Sequence, residues 1–188
     1  MASFLIVYGT GEGQTAKVAN QIAETIEGRG HSVTTHDIER LPDSISLGEF
    51  EAVLVGSSVH VSQHHEEIQS FVKTRRESLA ARPTAFFQLS LSSATNDPAR
   101  RAEAANYVDS FLEETDWQPD KIGLFGGALR YSKYGFLKRL LMKRIARDAT
   151  GDVDTSTDHE YTDWDEVTAF ADDFAGFVEA RIGTEQSE

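Results

Sequence analysis

Short runs of apolar residues alternate along this chain with longer segments in which apolar residues recur every three or four positions. The short runs predict β-strands at 3–8, 31–37, 52–57, 84–91 and 121–125. Two of them, 4–7 and 52–55, are almost continuously apolar. Such runs are typical of strands buried on both faces, as in a parallel sheet.

The longer segments predict α-helices at 14–27, 65–80, 98–114 and 163–182. In the first, Val18, Ile22 and Ile26 share one face, and in the last Asp163 stands three residues before Glu166, the spacing of a capping box. The order of elements predicts an α/β fold with a doubly wound sheet of five parallel strands. We expect one domain over 1–182 and a disordered tail at 183–188.

One segment, 126–162, interrupts this alternation after the fifth strand. A structureless loop of that length is uncommon inside a compact domain. Residues 134–149 have a helical pattern, so we predict a helical insertion, followed by a polar, acidic loop at 150–159.

Composition excludes several classes of function. The 188 residues include no cysteine, which removes disulfides, thiolate metal sites and cysteine catalysis. A formal net charge of −13 argues against a nucleic-acid partner; it fits plain solubility or adaptation to high salt. No apolar stretch approaches the ~20 residues of a membrane span. We therefore expect a cytoplasmic protein, soluble or peripheral on the inner face of the cell membrane.

The first predicted strand leads into Gly-Thr-Gly-Glu-Gly-Gln-Thr at 9–15, which we call the phosphate loop. Its glycines allow close backbone approach to a ligand, and the following helix start offers unpaired N–H groups, so it predicts a phosphate site. A dinucleotide loop would have glycine where Gln14 stands, and a P-loop would have a lysine. The dinucleotide alternative stays open through Asp37, and so does an ordinary strand-to-helix turn.

Residues 10–15 resemble the phosphate loop of flavodoxins. Nearly the whole chain is similar to the menaquinone-dependent protoporphyrinogen IX dehydrogenase family, the flavodoxin-type enzymes of haem synthesis. The resemblance is carried by Gly13-Gln14-Thr15, Gly56-Ser57-Ser58, Gly127-Ala128-Leu129-Arg130-Tyr131 and Tyr161-Thr162-Asp163-Trp164.

The resemblance implies a flavodoxin-like fold that binds flavin mononucleotide (FMN). The loops after the third and fourth predicted strands, 57–62 and 90–96, would flank the isoalloxazine ring, and we call them the ring loops. The predicted FMN contacts are Thr10, Gly11, Glu12, Gly13, Gln14, Thr15, Ser57, Ser58, Val59, His60, Ser90, Leu91, Ser92, Ser93 and Asn96.

The ring loops differ from those of ordinary flavodoxins, which commonly stack aromatic side chains on the flavin. Neither contains Trp, Tyr or Phe, and His60 alone could stack, unless it is simply a surface histidine. An uncovered ring is accessible to a flat substrate, which favours an enzyme over an electron carrier. We predict no metal site, because the adjacent His64 and His65 would point in different directions from a helix.

The segment 130–147 holds seven basic residues and no acidic one, in an amphipathic pattern. Three interpretations stay open: it packs on the acidic remainder of the chain, it binds an anionic flat substrate such as a porphyrinogen, or its part 134–147 docks on an anionic membrane. The predicted substrate contacts are Arg130, Tyr131, Lys133 and Lys138.

Together these features predict an FMN-dependent oxidoreductase that passes electrons from a porphyrinogen to a quinone. The flavin performs the redox chemistry, so no catalytic side chain is predicted. Two alternatives stay open, a flavodoxin electron carrier and an FMN-dependent NAD(P)H:quinone reductase, and a homodimer is among the assemblies left open.

Overall fold

A computed structural model describes residues 1–60, 63–94, 96–129 and 158–185 of the chain. The strands are β1 (Ser3–Gly9), β2 (Ser32–Asp37), β3 (Ala52–His60), β4 (Gln63–His64), β5 (Thr84–Ser90), β6 (Lys121–Gly126), β7 (Ala128–Leu129) and β8 (His159–Glu160). The α-helices of the described residues are α1 (Gln14–Gly28), α2 (Glu66–Ala80), α3 (Pro98–Thr115) and α4 (Trp164–Glu185).

The central sheet has the strand order β2-β1-β3-β5-β6, and every neighbouring pair in it is parallel. The predicted doubly wound, five-stranded α/β fold is therefore confirmed. β3 runs to His60, three residues beyond the predicted end of that strand, because β4 turns back and pairs Val59 with His64. The sequence pattern did not predict this short hairpin.

Helices cover both faces of the sheet, so the apolar strands are buried on both sides. Phe4 and Ile6 pack with the apolar face of α1 and with α4, whereas the alternate residues Leu5 and Val7 pack with α2 and α3. All four side chains are fully buried. The continuous apolar run of β1 follows from this two-sided packing.

The start of α4 is capped as the sequence predicted. Asp163 Oδ1 accepts hydrogen bonds from the backbone N–H groups of Asp165 (3.0 Å) and Glu166 (3.2 Å). The helix ends later than predicted: it reaches Glu185, so 183–185 of the expected disordered tail are helical. Thr184 there donates to the carbonyl of Ala180 at 2.9 Å, as in a regular helical turn. Residues 186–188 lie outside the described residues.

The two ends of the predicted insertion come together in the small ladder of β7 and β8, where Ala128 pairs with Glu160. The predicted helix 134–149 and the predicted substrate contacts Arg130, Tyr131, Lys133 and Lys138 lie outside the described residues. Among the residues that are described, no helix is both long and apolar enough to cross a membrane.

Candidate functional site

The carboxyl ends of β1, β3 and β5 lie side by side at one edge of the sheet, where doubly wound proteins bind their ligands. A cavity of about 50 Å³ opens between the loops that follow them. Nine predicted FMN contacts line it: Thr10, Glu12, Gln14, Thr15, Ser58, Val59, His60, Ser90 and Leu91. Leu89 and Gly127 line it as well. Neither was a predicted FMN contact, although Gly127 belongs to a motif that carries the family resemblance.

A hydrogen bond between the side chain of Thr10 and the backbone stabilises the turn of the phosphate loop. Thr10 Oγ1 accepts a hydrogen bond from the backbone N–H of Gly13 at 2.8 Å. Gly13 has a φ of 93°, in the left-handed region that favours glycine. The loop therefore turns tightly into α1, which begins at the next residue, and Gln14 and Thr15 of the first turn line the cavity. The first N–H groups of a helix have no partner within the helix.

Gly11 forms the point at which the phosphate loop and the first ring loop meet. A Cβ atom at Gly11 would lie 2.7 Å from His60 Nε2, closer than real Cβ contacts. The imidazole of His60 thus packs directly on the backbone of the phosphate loop. A side chain at position 11 would therefore displace the exposed imidazole of His60.

Two buried hydroxyls of this cavity have no hydrogen-bond partner among the described residues. They are Thr15 Oγ1, in the first turn of α1, and Ser58 Oγ, near the end of β3, and both are inaccessible to solvent. Such a group costs about 1–3 kcal/mol when it stays unpaired, so buried polar atoms are ordinarily satisfied. Hydroxyl donors beside a helix N-terminus fit the acceptor oxygens of a phosphate monoester. FMN carries such a group.

Two predicted contacts, Ser57 and Ser92, hold the ring loops in place instead of facing the cavity. Ser57 Oγ donates to the carbonyl of Ser58 at 3.2 Å and accepts from the N–H of His65 at 3.0 Å. Ser92 Oγ donates to Glu103 Oε2 at 2.7 Å, which ties its loop to α3. That either residue touches FMN stays a prediction.

The remaining predicted contacts of the second ring loop, Ser93 and Asn96, line a separate cavity of about 250 Å³. This cavity lies between the loop, α3, β6 and the start of α4, and Arg101 and Glu166 also line it. Arg101 was not singled out from the sequence, because an arginine in a helix is usually a solvated surface residue.

The motif Tyr161–Trp164 connects α4 to the phosphate loop and to the end of β6 through hydrogen bonds, and we call this connection the joint. Gln14 Nε2 donates to Thr162 Oγ1 at 2.9 Å, and Thr162 Oγ1 donates to the carbonyl of Gly126 at 2.7 Å. Tyr161 N–H donates to the carbonyl of Gly127 at 3.0 Å. The segment before α4 therefore fixes the first residue of α1 relative to the end of β6.

An ion pair reinforces this joint. Lys17 Nζ lies 2.9 Å from Glu160 Oε2, and Trp164 Nε1 donates to Glu160 Oε1 at 3.2 Å. Burial alone would raise the pKa of Glu160, but the hydrogen bond and charge of Lys17, with the indole N–H, hold that pKa below its ordinary value. Lys17, the basic residue of α1 closest in sequence to the phosphate loop, is thus paired with a carboxylate.

His64 is part of the core rather than of the site. It is buried, and its Nε2 donates to Gln88 Oε1 at 2.7 Å, while Gln88 Nε2 donates to the carbonyl of Ala104 at 3.0 Å. Burial lowers the pKa of His64, which favours the neutral imidazole. Within the described residues, no three His, Cys, Asp or Glu side chains are grouped so that they could hold a metal ion.

Comparison with known proteins gives concordant matches. A family model for the flavodoxin domain matches residues 5–156. Protoporphyrinogen IX dehydrogenase [quinone] of Escherichia coli K12 is 30% identical over 172 residues, which cover 91% of this chain and 93% of that protein. The protein of the same name from Leishmania major is 33% identical over 173 residues, covering 91% of this chain and 74% of the relative.

Among solved structures, a short-chain flavodoxin associated with a bacterial microcompartment superposes with a TM-score of 0.58. It covers 95% of this chain and 99% of its own, at 13% sequence identity. At that identity the match bears on the fold alone.

Proposed function

The chain belongs to the flavodoxin domain family, and from that premise we propose that it is an FMN-dependent oxidoreductase of the protoporphyrinogen IX dehydrogenase (quinone) type. The observation that carries the proposal is the match of 91% of the chain to relatives of that name from a bacterium and a protozoan. The cavity at the carboxyl ends of β1, β3 and β5 supports the proposed cofactor, since its donors suit a flavin phosphate.

FMN would be held by its phosphate in the phosphate loop and by its ring between the ring loops. Thr15 and Ser58 would donate to phosphate oxygens, together with the first N–H groups of α1. When bound, FMN supplies the transfer of electrons or hydride between donor and acceptor. The residues around it would bind and orient the flavin.

The proposed electron donor is a porphyrinogen and the proposed acceptor a quinone, as the relatives' names state for those proteins. Both are flat molecules that need access to a face of the flavin. The ring loops contain no aromatic residue that could cover it. Contact of 130–147 with substrate carboxylates, or of 134–147 with a membrane, remains part of the proposal.

Anaerobic reduction of the bound flavin tests this function. We expect protoporphyrinogen IX to bleach the flavin absorbance of the FMN-loaded protein, and a menaquinone analogue to restore it. Omission of either reagent is the control. Reduction by a ferredoxin reductase together with no reduction by protoporphyrinogen IX would contradict the proposal.

That last outcome would favour an electron carrier, the second candidate function. The net charge of −13 supports this candidate, because an acidic surface suits docking onto basic redox partners. Rapid one-electron exchange with a reductase, without porphyrinogen turnover, is the result that it predicts.

A further inference from the structure

His60 occupies a position at the phosphate loop that the proposed cofactor site does not yet explain. Its Nε2 packs against Gly11, within the turn that would surround the FMN phosphate, and its side chain lies exposed at the rim of the cavity. We propose, building on the proposed function, that His60 Nε2 binds the FMN phosphate as an imidazolium, so that FMN affinity is linked to protonation of His60.

The charge composition of the site supports this role. A phosphate monoester carries a charge of about −1.5 to −2 at pH 7. The stretches 9–16, 52–65 and 84–96, which supply most of the lining, contain no lysine and no arginine, and none of the described residues that line the cavity is a lysine or an arginine. Lys17, the next basic residue after the phosphate loop, is paired with Glu160 at 2.9 Å. Within the described residues that line the cavity, backbone N–H groups and hydroxyls are the other donors available to the phosphate.

Of the three histidines in these stretches, His60 is the one that lines the cavity. His64 is buried and hydrogen-bonded to Gln88. His65 packs on Gly9, and its Nδ1 lies 2.7 Å from Glu67 Oε2. A protonated histidine donates from both ring nitrogens, and its charge makes a hydrogen bond to phosphate roughly twice as strong as a neutral one.

The other titratable group that lines this cavity within the described residues is Glu12 of the phosphate loop. The second ring loop contributes Ser90 and Leu91, and the turn after β6 contributes Gly127, none of which titrates near neutral pH. A carboxylate at Glu12 would repel the phosphate, and a positive charge at His60 would offset that repulsion.

The test measures dissociation constants of FMN and of riboflavin, which lacks the phosphate, for the full chain between pH 5.5 and 8.5 at fixed ionic strength. His60→Gln keeps a donor near the position of Nε2 but cannot carry charge. We expect it to weaken FMN binding about tenfold at pH 5.5 and less than about threefold at pH 8.5. Riboflavin affinity should differ little between the two proteins at either pH.

His60→Arg supplies a fixed positive charge and should bind FMN tightly at both ends of the range. His36→Gln, on β2 and away from the cavity, is the matched control and should reproduce the wild-type profile. Titration of the FMN phosphate itself is common to all variants and cancels in the ratio of their dissociation constants.

Equal pH dependence of FMN binding in wild type and His60→Gln would overturn the proposal. Equal weakening of FMN and riboflavin would overturn it as well, since His60 would then contact the ring or ribityl chain. A pH dependence lost in Glu12→Gln but kept in His60→Gln would assign the linkage to Glu12. Wild-type protein that binds neither flavin would contradict the proposed cofactor, and this inference with it.

Discussion

At the scale of single residues, Thr15 Oγ1 is a buried hydroxyl in the first turn of α1 that has no hydrogen-bond partner in the part of the chain that the structure describes. Thr15→Val keeps the shape of the side chain and removes the hydroxyl. We expect FMN affinity to fall about tenfold or more, because hydrogen bonds to charged groups contribute about 1.5–3 kcal/mol. The protein without FMN should become more stable by about 1 kcal/mol, since an unpaired buried group is lost.

Flavin titration and urea unfolding measure these two opposite effects. Thr15→Ser retains the hydroxyl and is the matched control for affinity. A Thr15→Val protein that binds FMN as tightly as the wild type would show that the hydroxyl does not contact the phosphate.

Sequence reasoning succeeded at residues whose role is set by local chain geometry. Gly13 is required by the turn into α1, and its position between a strand and a helix was visible in the sequence. The sequence alone did not distinguish the hydroxyls that line the cavity from those that form hydrogen bonds within the loops. Ser57 and Ser58 are neighbours of the same type, and only tertiary contacts show that Ser57 Oγ bonds to His65 N–H while Ser58 Oγ is unpaired.

At the scale of elements, the pair Gly126 and Gly127 joins β6 to the segment before α4. A Cβ at Gly126 would overlap the carbonyl group of Tyr161, whereas at Gly127 it would meet the backbone of Ser90 at an ordinary 3.6 Å. Gly126→Ala should therefore lower the free energy of unfolding by about 2 kcal/mol, because backbone must move. Gly127→Ala should change it by less than about 1 kcal/mol.

Urea denaturation of both variants measures this difference. Since each replaces glycine by alanine, their contrast removes the general effect of glycine on the unfolded chain. Equal stability of the two proteins would contradict the close approach of Tyr161 to the end of β6.

The strands and helices of the sheet were predictable because each carries its own apolar period. β4 was not, since two residues have no period, and its pairing with β3 depends on a reversal of the chain. The joint between Gln14, Thr162 and Gly126 was not predictable either. Gln14 and Thr162 are 148 positions apart in the sequence, and no local pattern of residues predicts a contact over that separation.

At the scale of the whole molecule, an ionic cluster at the edge opposite the cavity ties the first residues of the chain to α1 and α4. Glu179 accepts from Arg29 Nη2 at 2.8 Å and from His31 Nε2 at 2.8 Å, while His31 Nδ1 accepts from Ala2 N–H at 3.1 Å. The hydrogen bond from Arg29, and then that from His31, lower the pKa of Glu179 to about 2.

Because this pKa is lower in the folded than in the unfolded protein, the cluster stabilises the fold above about pH 4.5, and the stabilisation is lost as pH falls towards 2. The Glu179 side chain is 39% exposed, so screening reduces the contribution to about 1 kcal/mol. Glu179→Gln should lower stability by that amount at pH 7 and by almost nothing near pH 2.

Urea unfolding at the two pH values measures this change. Glu113→Gln, on the exposed side of α3, is the matched control. A Glu179→Gln deficit that is equally large at both pH values would contradict an ionic role for the cluster.

The central claim is that this flavodoxin-family chain holds FMN by its phosphate at the start of α1. The most direct measurement is the identity of the flavin released when the purified, coloured protein is denatured. We predict FMN in about one equivalent per chain, with riboflavin unable to replace it at equal concentration. A colourless protein that takes up no FMN, or one that binds riboflavin as tightly as FMN, would contradict the account.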